Sequence, residues 1–354
     1  MDEQAQARPL PERKSYRYLD VLRCVCVYMV IICHCCGFVE QDPSLVGTRL
    51  WWFSNCVNIL GHVGVSIYFM ISGFLLLSDP RTLNVGQFYR RRLCKLLPPF
   101  LIWNVAYYLL TCAENHRLPD ADAFIREFAH QGSAVHLWYV YQIIGLYLLM
   151  PFLKRIVDHC TTKELVVLLG VVLLQPTFLR FANLTQDYVW LAPFQALMEG
   201  YVGFLLLGYL LGWQELEPKA RAWVYALGVF GLAFGMAGNY NYSKDGIVNL
   251  PYNEGYAITQ FLISAALFLL AKQADGKLPA AVRRWAGKIQ PLTYGIYLSH
   301  IFVLRRCLYA AEQGWGSLLT TAQHILVRFL VTAVGSTALN WFFSRVPVLK
   351  KYLL

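Results

Sequence analysis

Charge is scarce in this chain of 354 residues: only 15% are Asp, Glu, Lys or Arg, where an ordinary soluble domain carries about 25%. Acids are the scarcer sign, 21 against 31 Lys plus Arg, for a net charge of +10. There is no internal repeat, no low-complexity tract and no cysteine spacing of a disulfide framework, although there are ten Cys. The N-terminal stretch MDEQAQARPLPERKSYR lacks the apolar core of a secretory signal, so the first hydrophobic segment is expected to be retained. These absences exclude an ordinary soluble domain and a small disulfide-built secreted one.

Long apolar runs are what the chain has instead. It is 57% hydrophobic, with 22 Tyr, 21 Phe and 10 Trp. A membrane-spanning helix needs roughly 20 mostly apolar residues. Ten candidate spans follow, at about 18–39, 56–78, 98–113, 137–153, 165–181, 191–212, 222–239, 255–271, 291–310 and 319–344. The expected fold is all-α: a polytopic membrane protein of about ten transmembrane helices. A short interfacial helix, WWFSN, is expected before the second span, its Trp pair suiting the headgroup region.

The charges sort with this count. Most Lys and Arg fall in 1–17, 79–97, 154–164, 213–221, 272–290 and 345–354, whereas only Arg49, Arg117, Arg126 and Lys244 fall in the alternate loops. Cytoplasmic loops collect positive charge, so both termini are expected inside. The division is a polar tail at 1–17, a membrane domain at 18–344 and a short basic tail at 345–354. A net charge of +10 would suggest nucleic acid for a soluble chain. Here membrane lipids surround the protein and no nucleic-acid partner is expected. The GxxxG at Gly231 and Gly235 reads as a helix-packing notch.

The first span, LDVLRCVCVYMVIICHCC, carries Asp20, Arg23 and His34. Arg23 and His34 share a helix face, about 16 Å apart along the axis, and Asp20 lies on nearly the same side. A charge at mid-bilayer costs on the order of 3 kcal/mol, and such residues face a protein interior or a wet cavity. Two readings stay open. Asp20 and Arg23 form a pair anchoring the helix end, with His34 in an interhelical hydrogen bond; or the stripe marks a functional pathway. Cys24, Cys26, Cys33, Cys35 and Cys36 diverge around a helix at these spacings, so they read as apolar filler and no metal is expected.

That run resembles the signature of the membrane acyltransferase family 3, D-x-x-R followed after ten residues by H. Further matches come in chain order. VGVSIYFMISGFLLL (63–77) resembles the family's F-F-x-x-S-G-[FY] helix, and FYRRRLCKLLPPFLIW (88–103) its basic loop running into a proline-started helix. HLWYVYQIIGLYLLMPFL (136–153) resembles its H-L-W segment, and LTYGIYLSHIFVL its G-I-Y-x-x-H helix. One departure stands out: where the family often has R-x-x-R, this chain reads Arg92-Leu-Cys-Lys95. Lysine keeps the charge but loses the planar fork that binds phosphate bidentately.

The resemblance implies O-acylation, typically O-acetylation, of a carbohydrate by an acyl-CoA donor. The subgroup it is most similar to acts on bacterial surface polysaccharides or their lipid-linked precursors, in the cytoplasmic (inner) membrane. The chain is expected to lack the appended esterase-like domain of some members and to work as the bare membrane unit or with a partner. Acetyl-CoA is then the donor, and its phosphates suit the cations Arg90, Arg91, Arg92 and Lys95, with Arg23 guiding the donor inward. Ordinary positive-inside anchoring explains the same cations. His34 is the candidate base or covalent acyl carrier, and Ser72 a candidate oxyanion donor. Asp20, His136, Trp138, Glu199 and His300 are candidate acceptor-side residues, with an interface-belt role open for Trp138 and a structural role for His300. Arg305 and Arg306 are read as snorkelling outward. Two other classes fit the ionisable residues: a transporter or exporter of a glycan or small solute, and a non-catalytic member of a glycan assembly complex.

Overall fold

An apolar run that cannot rely on water must satisfy its peptide groups internally, and a helix does so within one segment. The structure is a computed structural model that describes residues 16–130, 132–181, 201–253, 255, 257–310 and 319–354, the side chains of 174–181 excepted. Among the described residues the regular elements are all helical, with no strand. They are α1 (Arg17–Glu40), α2 (Arg49–Ser78), α3 (Val85–Glu114), α4 (Ala121–His130), α5 (Trp138–His159) and α6 (Thr162–Phe181). There follow α7 (Val202–Trp213), α8 (Pro218–Ser243), α9 (Ile258–Ala274), α10 (Ala280–Ile289), α11 (Thr293–Ala310), α12 (Thr321–Arg345) and α13 (Pro347–Leu353).

Six of these are long and apolar enough to cross a bilayer: α1, α2, α3, α5 with its leading turn, α8 and α12. The protein is therefore a multi-pass, all-helical membrane protein. The other expected spans coincide with α6, α7, α9 and α11, which do not meet that measure, and 191–200 lies outside the described residues.

Two expectations about helix starts are corrected. WWFSN is not a separate interfacial helix: α2 is continuous from Arg49, its first turn capped by the Thr48 hydroxyl, which accepts from the Trp51 amide. Trp51 is fully buried, and its indole N–H donates to the Glu40 carbonyl at 3.1 Å. The indole thus has an interior acceptor and does not need the headgroup region. Likewise, the basic segment before Pro98 is not a loop. Asn84 caps α3, and the helix runs through Pro98 and Pro99 to Glu114. Proline removes hydrogen bonds to the carbonyls four residues back, here Cys94 and Lys95. Both residues are exposed, where water serves those carbonyls.

The bundle is assembled around α1, which packs against α2, α9, α10, α11 and α12. Between lipid-embedded helices close packing replaces the hydrophobic drive, so small residues sit where backbones touch. A Cβ on Gly73 of α2 would lie 2.0 Å from the Leu205 carbonyl oxygen of α7, and one on Gly208 of α7 would lie 2.1 Å from that of Met70. Gly231 meets Leu262 and Thr259 of α9, so the GxxxG is the packing notch expected.

Candidate active site

Three segments far apart in the chain place imidazoles side by side. His34 comes from the later turns of α1, His136 from the 3-10 turn Val135–Leu137 that leads into α5, and His300 from the middle of α11. Ring centroids are 5.3 Å apart for His34 and His300, 4.8 Å for His136 and His300, and 6.5 Å for His34 and His136.

The local sequence explains how His136 is aimed. Gly132, just beyond the end of α4 at His130, has a φ of 84°, a left-handed conformation that glycine adopts without strain. Its amide bonds back to the Glu127 carbonyl at 3.0 Å. The Ser133 amide then donates to Oδ1 of Asn104 on α3 at 3.1 Å. A Cβ on Gly132 would sit 2.9 Å from that same oxygen, so the turn closes only with glycine. Chain reversal over Asn104 delivers His136 into the bundle, where it is buried.

The tautomers follow from the partners, since a carbonyl accepts only. His136 Nε2 lies 3.3 Å from the Leu298 carbonyl and His300 Nδ1 lies 2.5 Å from that of Tyr297. Each of these nitrogens must therefore carry the proton when the ring is neutral. That leaves His136 Nδ1 and His300 Nε2 as bare lone pairs, buried and without a hydrogen-bond partner. His34 is half-buried and makes no hydrogen bond to a described residue. Two tyrosines pack the cluster. Tyr107 of α3 lies edge-on to His136 at 5.2 Å, its hydroxyl donating to the Leu298 carbonyl at 2.7 Å and accepting from the Phe302 amide at 3.0 Å. Tyr297 of α11 lies 5.5 Å from His136 and donates to its carbonyl.

A column of tyrosines runs from this cluster toward the other end of α1. Tyr297 is 5.2 Å from Tyr139 of α5, Tyr139 is 6.1 Å from Tyr68 of α2, and the Tyr68 hydroxyl donates to the Arg23 carbonyl at 2.7 Å. Arg23 itself pairs with Asp20 at 3.4 Å, both partly exposed. The stripe thus has an ion-paired wet end and a histidine-lined inner end, with phenol rings between them.

A family model described as an acyltransferase domain, that of the membrane acyltransferase family 3, matches residues 16–345. The chain belongs to this acyltransferase family. No curated protein and no solved structure matches it.

The other expected site residues of this acyltransferase are dispersed. Ser72 is not with the histidines, which corrects its assignment as an oxyanion donor for His34. α1 and α2 run antiparallel, with Gly61 facing Cys33 and Tyr68 facing Arg23. Ser72 therefore lies about 16 Å along α2 from the level of Gly61, one turn past Tyr68. Trp138 lies tilted against Tyr201, with ring centroids 5.6 Å apart. Arg90, Arg91, Arg92 and Lys95 are exposed on the first turns of α3, where Arg91 and Lys95 share a face. Arg305 does not simply snorkel: it pairs with Glu114 and donates to the Thr111 hydroxyl at 3.2 Å. Arg306 covers the Phe302 ring. Glu199 lies outside the described residues.

Sequence reading missed a second polar cluster beside the first. Glu40, fully buried at the end of α1, accepts from the amides of Asn58 and Asn253, the latter at 3.1 Å. Asn239 donates to Asn253 and to Asn55, at 2.9 Å each. Asn55 and Asn58, three residues apart in the apolar run of α2, were a readable signal of one polar helix face. Also missed was His62 of α2, near enough to His34 for their charges to interact. The cysteines of α1 are buried contact residues, Cys33 donating to Asn58 Oδ1 at 2.9 Å, and no described group of His, Cys, Asp and Glu has the geometry to hold a metal.

Proposed function

We propose that the protein is an O-acetyltransferase that moves an acetyl group from acetyl-CoA to a hydroxyl of a cell-surface polysaccharide or its lipid-linked precursor. It works in a bacterial inner membrane, with about ten transmembrane helices and both termini in the cytoplasm. The observation that carries this reading is the histidine cluster: three imidazoles, two with buried, bare nitrogens, the third on a helix that carries Arg23 on the same face.

Attack of a hydroxyl on a thioester forms a C–O bond and breaks a C–S bond, and the hydroxyl proton ends on the thiol. A positioned imidazole can take and return such a proton as a general base and then a general acid. His34, the accessible ring of the three, takes it from the acceptor and returns it to the departing sulfur. In the neutral rings the bare nitrogens beside His34, His136 Nδ1 and His300 Nε2, are acceptors, able to take a hydrogen bond from the acceptor's hydroxyl or from His34 once it carries the proton. The donor's phosphates rest on Arg90, Arg91, Arg92 and Lys95, and its pantetheine arm follows the tyrosine column past Arg23.

Purified protein given radiolabelled acetyl-CoA and a lipid-linked glycan acceptor is expected to transfer label. His34→Ala is expected to reduce transfer by at least about 100-fold, the usual scale for a general base, with the melting profile unchanged. Full transfer by the folded variant would refute the assignment of His34. Comparing glycan mass with and without the protein identifies the acceptor class: the expected difference is one acetyl group.

A further inference from the structure

A groove of about 1570 Å³ opens between α3, α10, α12 and α13, with Tyr28 of α1 reaching into it. Lys95, Lys288, Arg345, Lys350 and Lys351 line it, and neither Asp nor Glu does. None of these five cations makes an ion pair with a described residue. Gathered in one cleft they repel one another, and an anion relieves that. The wall of the groove is apolar, built from Phe329, Val334 and Trp341 of α12. Val334 is 66% exposed and Trp341 54% exposed, which is the side of a peripheral helix that meets hydrocarbon. Arg345 lies over the Trp341 ring at 4.8 Å, at the point where the apolar wall meets the cations.

The groove is separate from the histidine cluster. Neither the cluster nor the tyrosine column contributes to its lining. Tyr28 and His34 point about 120° apart around α1, so a chain held here does not lead to His34. A site open to the bilayer, apolar along its length and cationic at one end fits an amphiphile with a phosphate headgroup. Basic pockets between membrane helices on the positively charged side take such headgroups, and α10, with Arg283, Arg284, Trp285 and Lys288 in ten residues, has the make-up of an interfacial helix.

We propose that this groove holds an anionic phospholipid from the leaflet on the Lys- and Arg-rich side. Its phosphate sits among Lys288, Arg345, Lys350 and Lys351, and one acyl chain lies along Phe329, Val334 and Trp341. The lipid ties α13 to α10 and α3 by neutralising cations that otherwise push these helices apart. This holds whether or not the donor and acceptor proposed above are right.

The test uses the full chain purified in detergent, titrated separately with phosphatidylglycerol and phosphatidylcholine and then, loaded with phosphatidylglycerol, with CoA, with native mass spectrometry and thermal melting as readouts. Phosphatidylglycerol is expected to stay bound and raise the melting temperature, and phosphatidylcholine to do neither. Joint replacement Lys288→Gln, Lys350→Gln and Lys351→Gln is expected to weaken phosphatidylglycerol binding about 100-fold, roughly a factor of five for each lysine charge removed. Ala338→Trp fills the groove without changing charge and is expected to displace the lipid as well, which keeps the test decisive if the triple variant fails to fold. Equal binding of the two lipids, displacement of phosphatidylglycerol by CoA, or unchanged binding in the Ala338→Trp variant would each overturn the proposal.

Discussion

The histidine cluster and the amide network of Glu40 are both polar, both built on the later half of α1, and opposite in one respect. In the network each partner is matched. Both Glu40 oxygens accept an amide N–H, Asn253 Oδ1 accepts from Asn239, Asn239 Oδ1 accepts from the Tyr252 amide at 3.0 Å, and Asn55 donates to the Met236 carbonyl at 3.0 Å. In the histidine cluster His136 and His300 each leave a nitrogen bare. A buried polar group without a partner costs about 1–3 kcal/mol, so the first arrangement stabilises the bundle and the second tolerates a cost. The saturated polar groups lock α1, α2 and α8 together, while the proposed function gives the unsaturated ones a ligand or a proton to take.

The comparison breaks most visibly at His34, whose replacement by alanine is expected to remove activity without loosening the fold. Next, His300→Gln is expected to lower transfer by on the order of 100-fold, as for loss of one group that accepts a proton. Its melting temperature should hold, because Nε2 had no partner and the Gln amide replaces Nδ1 as donor to the Tyr297 carbonyl; steady-state kinetics beside a thermal melt decides this. If stability falls with activity, His300 is a structural partner of the kind seen at Asn58.

Glu40→Ala is expected to do the reverse. It strips acceptors from two buried amides and should cost about 2–4 kcal/mol of stability, read from thermal melts, while the folded fraction keeps most of its transfer rate. A large loss of activity per folded molecule would place Glu40 in the reaction.

The smallest effect is expected outside the membrane, at the end of α2. Burial raises the pKa of the Asp79 carboxyl, but hydrogen bonds from the Arg81 side chain and amide and the charge of Arg92 outweigh it and hold it below the usual carboxylate range. A group depressed in the folded state stabilises it above the carboxylate's unfolded pKa and loses that contribution as pH falls through the folded pKa. Stability should therefore fall below about pH 4 in the parent and fall less in Asp79→Asn. Since Arg81 is mostly exposed, the expected difference is no more than about 1 kcal/mol. Melting curves across pH 3 to pH 7 measure it.

Much of the fold was legible because long apolar runs leave the backbone little choice but helix. The stripe on α1 was legible too, since helical periodicity alone puts Arg23 and His34 on one face. The misreadings share a cause: local rules were applied where a distant partner decides. Two prolines suggested a start for α3, yet the Asn84 cap and the exposure of Cys94 and Lys95 let the helix begin about four turns earlier. The Trp pair suggested a headgroup belt, yet the Glu40 carbonyl holds Trp51 inside. Ser72 sat in a promising S-G-F turn, but Gly73 is there for contact with Leu205, and the antiparallel register of α1 and α2 carries Ser72 away from the histidines.

By itself the amino-acid sequence determined the class of the molecule, the helical state of its apolar runs and the shared face of Asp20, Arg23 and His34 on α1, because hydropathy and the 3.6-residue period are properties of a single segment. Only the tertiary structure decided that His136 and His300 join His34, which of their nitrogens are left bare, and that Glu40 and four asparagines form a closed network. Those facts depend on which helices touch and at what register, and glycines such as Gly73, Gly132 and Gly208 set that by allowing backbones to meet where any side chain would hold them apart.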